Sequence, residues 1–278
     1  AATRLVCHYC GYTTIQPGLC PVCGSKYISG FKAGTQKIEQ VVKARFPQAR
    51  VLRMDMDTTR TKDGYEQILS AFSNHEADIL IGTQMIVKGH DFPGVTLVGV
   101  LAADLSLYIS DYRASERTFQ LLTQAAGRAG RGDIPGNVII QTYDPDHYSI
   151  TTAKEQNYEA FYGQEIEYRK MMRYPPVWNM LYILCASKNE AAASEAAVAL
   201  MGKIDQIVRE NSEKIFSIGP SDAPVAKISD VYRKVIYVKT REYQTLVTLK
   251  DGLEAFIKDN RLYQNVAVGF DFNPVNGF

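Results

Sequence analysis

No stretch of this 278-residue chain approaches the roughly 20 consecutive apolar residues that a membrane-spanning helix needs, and no charged-then-apolar leader opens it. The expectation is therefore a cytoplasmic protein without a membrane partner. An excess of one charge is lacking too: the formal net charge is +1, and basic and acidic residues nearly balance over 30–150. Bulk positive potential thus cannot recruit nucleic acid, and any such contact has to come from local geometry. Internal repeats and low-complexity segments are absent, which excludes solenoids and solvated tails. Cysteine is scarce after the first 23 residues, where only Cys185 remains, set in the apolar run 181–186 as a core residue. Such crowding excludes a disulfide-stapled secreted scaffold, whose cysteines would be spread along the chain.

What is present reads as α/β. A helix is predicted over 35–46, a strand over 51–54, a helix over 62–73 and strands over 78–83 and 95–101. A helix over 113–128, a strand over 137–142 and a long helix over 152–172 follow. Short apolar strands alternating with amphipathic helices imply a mostly parallel sheet covered on both faces. The run Tyr174-Pro175-Pro176 marks a boundary, because the residue before a proline is pushed out of helical conformation. Beyond it the pattern is strand 179–187, helix 190–211, strands 214–219 and 231–239, helix 242–258 and strand 265–272. That β-α-β-β-α-β order is the ferredoxin-like plan. The layout is a cysteine region over 1–29, an α/β lobe over 30–174 and a small α+β domain over 175–278.

Three groups of residues carry chemistry. Cys7, Cys10, Cys20 and Cys23 follow C-x2-C-x9-C-x2-C, a spacing that can set four thiolates around one zinc ion, with Gly11 and Gly24 permitting the turns. Metal would supply order that so short a segment cannot gain from burial. Four free thiols are the plainer alternative. The end of the 113–128 helix reads Gln124-Ala-Ala-Gly127-Arg128-Ala-Gly130-Arg131. Two guanidiniums beside glycines suit bidentate phosphate binding and the charge that develops in phosphoryl transfer; a solvated basic helix end is the alternative. Upstream, a strand delivers Gly82-Thr83-Gln84-Met85 and then Lys88-Gly89-His90-Asp91-Phe92-Pro93. This loop lies at the carboxyl edge of a parallel sheet, where such folds bind ligands. Asp91 there suits a ribose hydroxyl or a metal-bound water.

Taken jointly, these segments resemble superfamily-two helicases. GTQMIVKGHDF resembles their motif V and QAAGRAGR their motif VI, while Gly34–Glu39 and Arg53–Thr59 resemble the opening of the second RecA-like lobe. With CHYCG, CPVCGS, KGHDFP and Met171-Met-Arg-Tyr-Pro175-Pro176, the chain is similar throughout to one branch, the PriA family of replication-restart helicases (primosomal protein N-prime). The resemblance implies an ATP-dependent 3′→5′ DNA helicase acting at stalled forks. Its partners would be forked and single-stranded DNA, the tail of single-stranded-DNA-binding protein and other primosome proteins. Arg128, Arg131 and Gln124 would be catalytic, Gly89, Asp91 and Gly127 would contact nucleotide, and Thr83, Gln84 and Lys88 would contact DNA.

The chain also departs from the family. It has no G-x4-GK-[ST] loop and no acidic DEAH-like box, so the lobe that cradles ATP and Mg²⁺ is missing and the fragment alone is expected to be inactive. In the family, interleaved cysteine pairs hold two zinc ions, and the pairs seen here are the later ones of each site. The rival readings are the second lobe of another superfamily-two translocase and a non-motor zinc-containing nucleic-acid adaptor.

Weaker features complete the reading. His8 lies between two cysteines but reads as a loop residue, and His75 and His147 read as surface histidines. Asp104, Asp111 and Glu116 read as surface charge paired with Arg113 and Arg117. Tyr158, Phe161, Tyr162, Ile166 and Met171 read as one packing face of a helix. In the C-terminal domain, Tyr232, Arg233, Lys234, Lys239 and Arg241 cluster by a strand of a sheet expected to have one free face. Arg233, Lys234 and Arg241 there suit an acidic peptide with an aromatic end; the resemblance implies the Phe-ended tail of single-stranded-DNA-binding protein, with DNA phosphates or a solvated strand edge as the alternatives.

Overall fold

The computed structural model describes residues 4–6, 12–15, 17–26, 34–59, 63–87, 92, 94–109, 111–130, 135–210 and 214–275. It divides into two compact units: one comprises residues 28–109 and 113–161, the other residues 1–27, 110–112 and 162–278. The cysteine region opens with a short antiparallel hairpin, β1 (Arg4–Val6) and β2 (Thr13–Ile15).

In the first unit, α1 (Thr35–Arg45) leads to β3 (Val51–Met54), and α2 (Gly64–Ser73) leads to β4 (Ile79–Gly82), which pairs with β3 in parallel. Met54, Leu69 and Phe92 form the core of this half, with Tyr65, Ile68 and Phe72 packed against it. Strand β5 (Leu97–Val100) is followed by the short α3 (Asp104–Leu107), then α4 (Ala114–Ala126), then β6 (Asn137–Ile140), parallel to β5. Ala114, Thr118, Phe119, Leu122 and Ala125 return every three or four residues on α4, and that face is the buried one. Phe119, Leu122, Ile150 and Phe161 build a second core. The expected single sheet is thus present, among the described residues, as two parallel pairs, β3–β4 and β5–β6.

The long helix predicted over 152–172 is two helices, α5 (Tyr148–Lys154) and α6 (Tyr158–Met172). Gln156 adopts φ 51°, and the Asn157 side chain accepts the amide of Ala160 at 2.9 Å. A left-handed residue followed by an asparagine cap stops one helix and starts the next. His147, read as a surface residue, caps the start of α5: its Nδ1 accepts the Ser149 amide at 3.2 Å.

The second unit has β7 (Asn179–Ser187), α7 (Glu190–Glu210), β8 (Phe216–Ile228), β9 (Val231–Thr240), α8 (Tyr243–Lys258) and β10 (Ala267–Phe272). These form one antiparallel sheet in the order β10-β7-β9-β8. Leu181, Ile183 and Cys185 of β7 alternate inward, with Ile236 and Val238 of β9, against Ala196, Leu200 and Ile204 of α7 and Leu246, Leu249 and Leu253 of α8. Burial pushes the Cys185 thiol up to about 12, which fits its reading as a core residue. Strand β8 runs well past its predicted end, because Gly219, at φ 121°, carries the chain through a register shift rather than out of the sheet. A side chain at Gly219 would meet the Val235 carbonyl oxygen at 2.8 Å.

Candidate functional site

The motif predicted to contact phosphate sits at the end of α4. The helix tightens as it stops: the amides of Arg128 and Ala129 bond three residues back, to Ala125 at 3.0 Å and Ala126 at 3.3 Å. Gln124 is exposed, while Gly127 and Arg128 are half-buried. Gln124 stands in the last turn of α4 and Arg128 two residues past its end. Gly130 adopts φ 74° and donates its amide to the Val95 carbonyl at 3.0 Å, at the approach to β5. Gly136, at the approach to β6, passes so near that a Cβ there would lie 2.2 Å from the Gly130 nitrogen. Sequence reasoning missed Gly136, although its place just before a strand, after a glycine-rich motif, was a usable signal. Arg131 lies outside the described residues.

Thr83 and Gln84 are exposed on a short 3-10 turn at the carboxyl end of β4. Gly82 lets that end lie close on its neighbour, since a Cβ would come 2.7 Å from the Met54 carbonyl oxygen. Lys88, Gly89 and Asp91 lie outside the described residues, as do Cys7, Cys10 and His8. Thr83 and Gln84 therefore sit with the β3–β4 pair, and Gln124, Gly127 and Arg128 with the β5–β6 pair.

Two carboxylates fix the chain just past the carboxyl ends of β3 and β5. Asp55, just after β3, accepts the Thr35 hydroxyl at 2.5 Å and the amides of Asp57 and Thr58 at 3.0 and 3.1 Å, and Arg53 Nε lies 3.5 Å away. The Thr35 hydrogen bond, backed by these amides and Arg53, holds the Asp55 carboxyl below its ordinary value despite burial. The resemblance had marked both segments, and the fold brings them together.

Asp104 corrects the reading of a surface trio. It is buried, accepts the Thr142 hydroxyl at 2.7 Å and the Tyr143 amide at 3.0 Å, and so ties the end of β5 to the end of β6. Burial works to raise its pKa, but the hydrogen bonds from Thr142 and Tyr143 outweigh that and leave the carboxyl below its ordinary value. Its position after an apolar strand at the sheet's carboxyl edge was the signal available.

Among the cysteines, Cys20 and Cys23 frame a turn. The Cys20 amide donates to the Ser25 carbonyl at 2.8 Å, the Gly24 amide donates to the Cys20 carbonyl at 2.9 Å, and Gly24 takes φ 69°. The backbone amides of Cys23 and Val22, in that order, lower the Cys20 pKa. A turn that aims amides at a thiol favours the thiolate a metal requires, so this half of the cysteine set fits a zinc ligand pair.

The basic cluster of the C-terminal domain is dispersed. Strand alternation puts Arg233 on the face of β9 shared with Val235 and Tyr237, and Lys234 on the face shared with Ile236 and Val238. Lys234 pairs with Asp222 on the neighbouring strand. The sheet face expected to be free is instead buried, with Met180, Tyr182, Ala223, Val235 and Tyr237 in one core and Tyr112 packed on it. Lys239 is buried rather than solvated. Its Nζ donates to the Met172 carbonyl at 3.1 Å and lies 3.8 Å from the Tyr174 ring centre. Burial, then the neighbouring Arg173 guanidinium, pulls this amine down to about 7, although the carbonyl and ring face favour its charged form. Arg241 is exposed and, like Arg173, lies by the Trp178 ring, at 5.4 and 5.8 Å from its centre respectively.

The aromatic stripe of α6 is also revised. Only Phe161 of that set is buried, stacked on Phe119 at 4.3 Å, while Tyr158, Tyr162 and Met171 are exposed. The buried face runs Phe161, Glu165, Arg169, a four-residue spacing that includes an ion pair of 2.6 Å.

Comparison with known proteins agrees with this architecture. Residues 26–133 match the helicase conserved C-terminal domain, and residues 170–275 match the primosomal protein N C-terminal domain. The chain is 45% identical over 273 residues to the replication restart protein PriA of Bacillus subtilis, an alignment covering 98% of this chain and 33% of that protein. It is 43% identical over 235 residues to the PriA of Synechocystis, covering 84% of this chain and 28% of the relative. Against the PriA of Chlamydia pneumoniae it is 40% identical over 280 residues, with 100% and 36% covered. The chain thus spans about a third of the length of the curated relatives it matches.

Proposed function

Because this chain belongs to the replication restart protein PriA family and corresponds to its C-terminal part, we propose that it is the second motor lobe and C-terminal domain of an ATP-dependent 3′→5′ DNA helicase. The observation that carries this reading is the end of α4. Exposed Gln124 stands in its last turn and half-buried Arg128 two residues past it, ahead of a glycine crossing that holds the chain close to the sheet. ATP and Mg²⁺ would be bound mainly by another lobe of the full-length protein, since no phosphate-cradling loop lies in this chain. Arg128 and Arg131 would approach the γ-phosphate and stabilise the charge spread over its oxygens, with Gln124 beside them. Gly127, Gly89 and Asp91 would complete the nucleotide contact, while Thr83, Gln84 and Lys88 would track the phosphate backbone of forked or single-stranded DNA.

The α/β lobe is RecA-like in this reading, supported by its parallel strand pairs, and the C-terminal domain is ferredoxin-like, supported by its element and strand order. Cys20 and Cys23, with Cys7 and Cys10, would hold zinc, which would supply order to a segment that buries little. Arg241 beside Trp178 remains a place for the acidic tail of single-stranded-DNA-binding protein, whereas Arg233 and Lys234 do not share a patch with it. In a full-length protein containing this chain, DNA-stimulated ATP turnover by Arg128→Ala tests the motor assignment. Loss of turnover with forked-DNA affinity retained is expected, and unchanged turnover would sink it.

A further inference from the structure

Arg173 ends α6 at a position that seldom takes arginine. It adopts φ 57°, and the Tyr174 amide reaches back to the Arg169 carbonyl at 2.7 Å. This is the left-handed cap of a helix end, where glycine is the usual residue because a side chain strains the backbone. The helix dipole does not require a cation there, since Arg169 and Lys170 already bring positive charge to the last turn. An outlier of this kind points to a role for the side chain. The guanidinium lies 3.6 Å from the centre of the Phe216 ring and 5.8 Å from that of Trp178, while Arg241 lies 5.4 Å from the same Trp178 ring. The two rings pack edge to face with centres 5.6 Å apart, and Trp178 is buried. Both guanidiniums are exposed, and among the described residues neither pairs with a carboxylate. Lys239, buried on Tyr174, adds a third cation whose charge Arg173 opposes. Cations gathered on aromatic faces repel one another, and an anion seated beside them relieves that repulsion.

We propose that Arg173 is a second anchoring arginine for an acidic peptide, forming with Arg241 a paired guanidinium site held on Trp178 and Phe216. The inference rests on the reading of Arg241 beside Trp178 as the peptide's place, and it adds a residue that the basic cluster by β9 did not contain. A guanidinium stacked on a ring uses its face and keeps its rim of N–H donors for a carboxylate. Two such rims beside one tryptophan suit two acidic groups of a single peptide. Every residue involved belongs to the C-terminal unit.

The test uses the full-length protein as parent, Arg173→Gly, Arg173→Ala and Arg241→Ala. A synthetic acidic peptide ending in phenylalanine and, separately, a random single strand of DNA are titrated against each. Both Arg173 variants should bind the peptide about 10-fold more weakly, bind the DNA strand as the parent does, and show a flatter salt dependence of peptide binding. Their stabilities should differ: at φ 57° glycine is relaxed and alanine is not, so Arg173→Gly should melt above Arg173→Ala. Equal loss of affinity at unequal stability is a result that a packing role would not give. Parental peptide affinity in both Arg173 variants overturns the proposal. So does an affinity that follows melting temperature from one variant to the other, which would leave Arg173 a packing residue on Phe216. A fall in DNA affinity with peptide binding intact also overturns it and assigns the pair to phosphates. If Arg241→Ala binds the peptide as the parent does, the peptide reading itself fails, independently of Arg173.

Discussion

Gly130 and Gly136 cross at a distance that admits no side chain on either: a Cβ on Gly130 would stand 2.7 Å from the Gly136 nitrogen, and one on Gly136 would stand 2.2 Å from the Gly130 nitrogen. Gly130 is also left-handed, so alanine there adds backbone strain to the clash. Gly136→Ala meets only the clash, and it meets backbone, which cannot swing aside. The chain after Arg128 must then leave Val95. The expected cost is about 1–3 kcal/mol of stability, read by denaturant melts. ATP turnover of the full-length protein should fall with it.

Asp104 makes a second prediction. Its carboxylate takes a hydroxyl and an amide from the end of β6, and its removal leaves both without that acceptor. Asp104→Ala should cost about 1–3 kcal/mol at neutral pH, measured by urea unfolding. The sign with pH follows from its lowered pKa. The contribution is present above the ordinary carboxylate value and is lost as pH falls through the folded one. Parent and Asp104→Ala stabilities should therefore converge in acid.

Lys239 gives the opposite sign. Its folded pKa of about 7 lies below the ordinary 10.5, so between these values the unfolded chain holds more protons and stability rises with pH. The rise is at most about 1.4 kcal/mol per pH unit. Cys185 and Tyr263, both pushed up to about 12 by burial, oppose it only above their ordinary values of 9.0 and 10.0. Cys20, lowered from 9.0, adds a rise of the same sign below that value, so Lys239 is read from the difference between parent and variant over pH 7 to 9. Lys239→Met should flatten the rise across that window in equilibrium unfolding, and an unchanged slope would rule out a neutralising Lys239.

Which features were legible follows from how local their causes are. The spans of β7 and α8 could be read because alternation and a three-to-four-residue repeat are properties of neighbours in sequence. The break at Gln156–Asn157 was hidden, since an apolar repeat on both sides masked one left-handed residue and its cap. Motif residues such as Gln124 and Arg128 stood out by type and spacing. Asp104, Tyr112 and Gly136 did not, because each acts on residues far along the chain: Thr142, Tyr174 and Gly130. Lys239 misled for a related reason, as a lysine's burial depends on partners such as Met172 and Tyr174 that the strand pattern does not reveal.

The cysteine turn supports the last prediction, which concerns metal. The amide of Cys23, then that of Val22, and the Cys23 thiol hydrogen-bond to Cys20 and lower its pKa. Gly24 at φ 69° allows the reversal that brings these amides round. A turn of this form has little apolar surface to hold it: Val22 is 93% exposed and Leu19 57%. In the proposed reading, a zinc ion held together with Cys7 and Cys10 would supply the order that burial does not. Purified without chelator, the chain should carry about one zinc by elemental analysis. Cys20→Ser and Cys7→Ser should each release it, since losing one of four ligands opens the tetrahedron. Thiolate ligation also displaces protons, so affinity should fall steeply as pH drops from 8 to about 6. If zinc is retained in Cys7→Ser but lost in Cys20→Ser, the later pair binds without the earlier one. Absence of metal in the parent chain would mean that these pairs complete their sites only with ligands from elsewhere in the full-length protein.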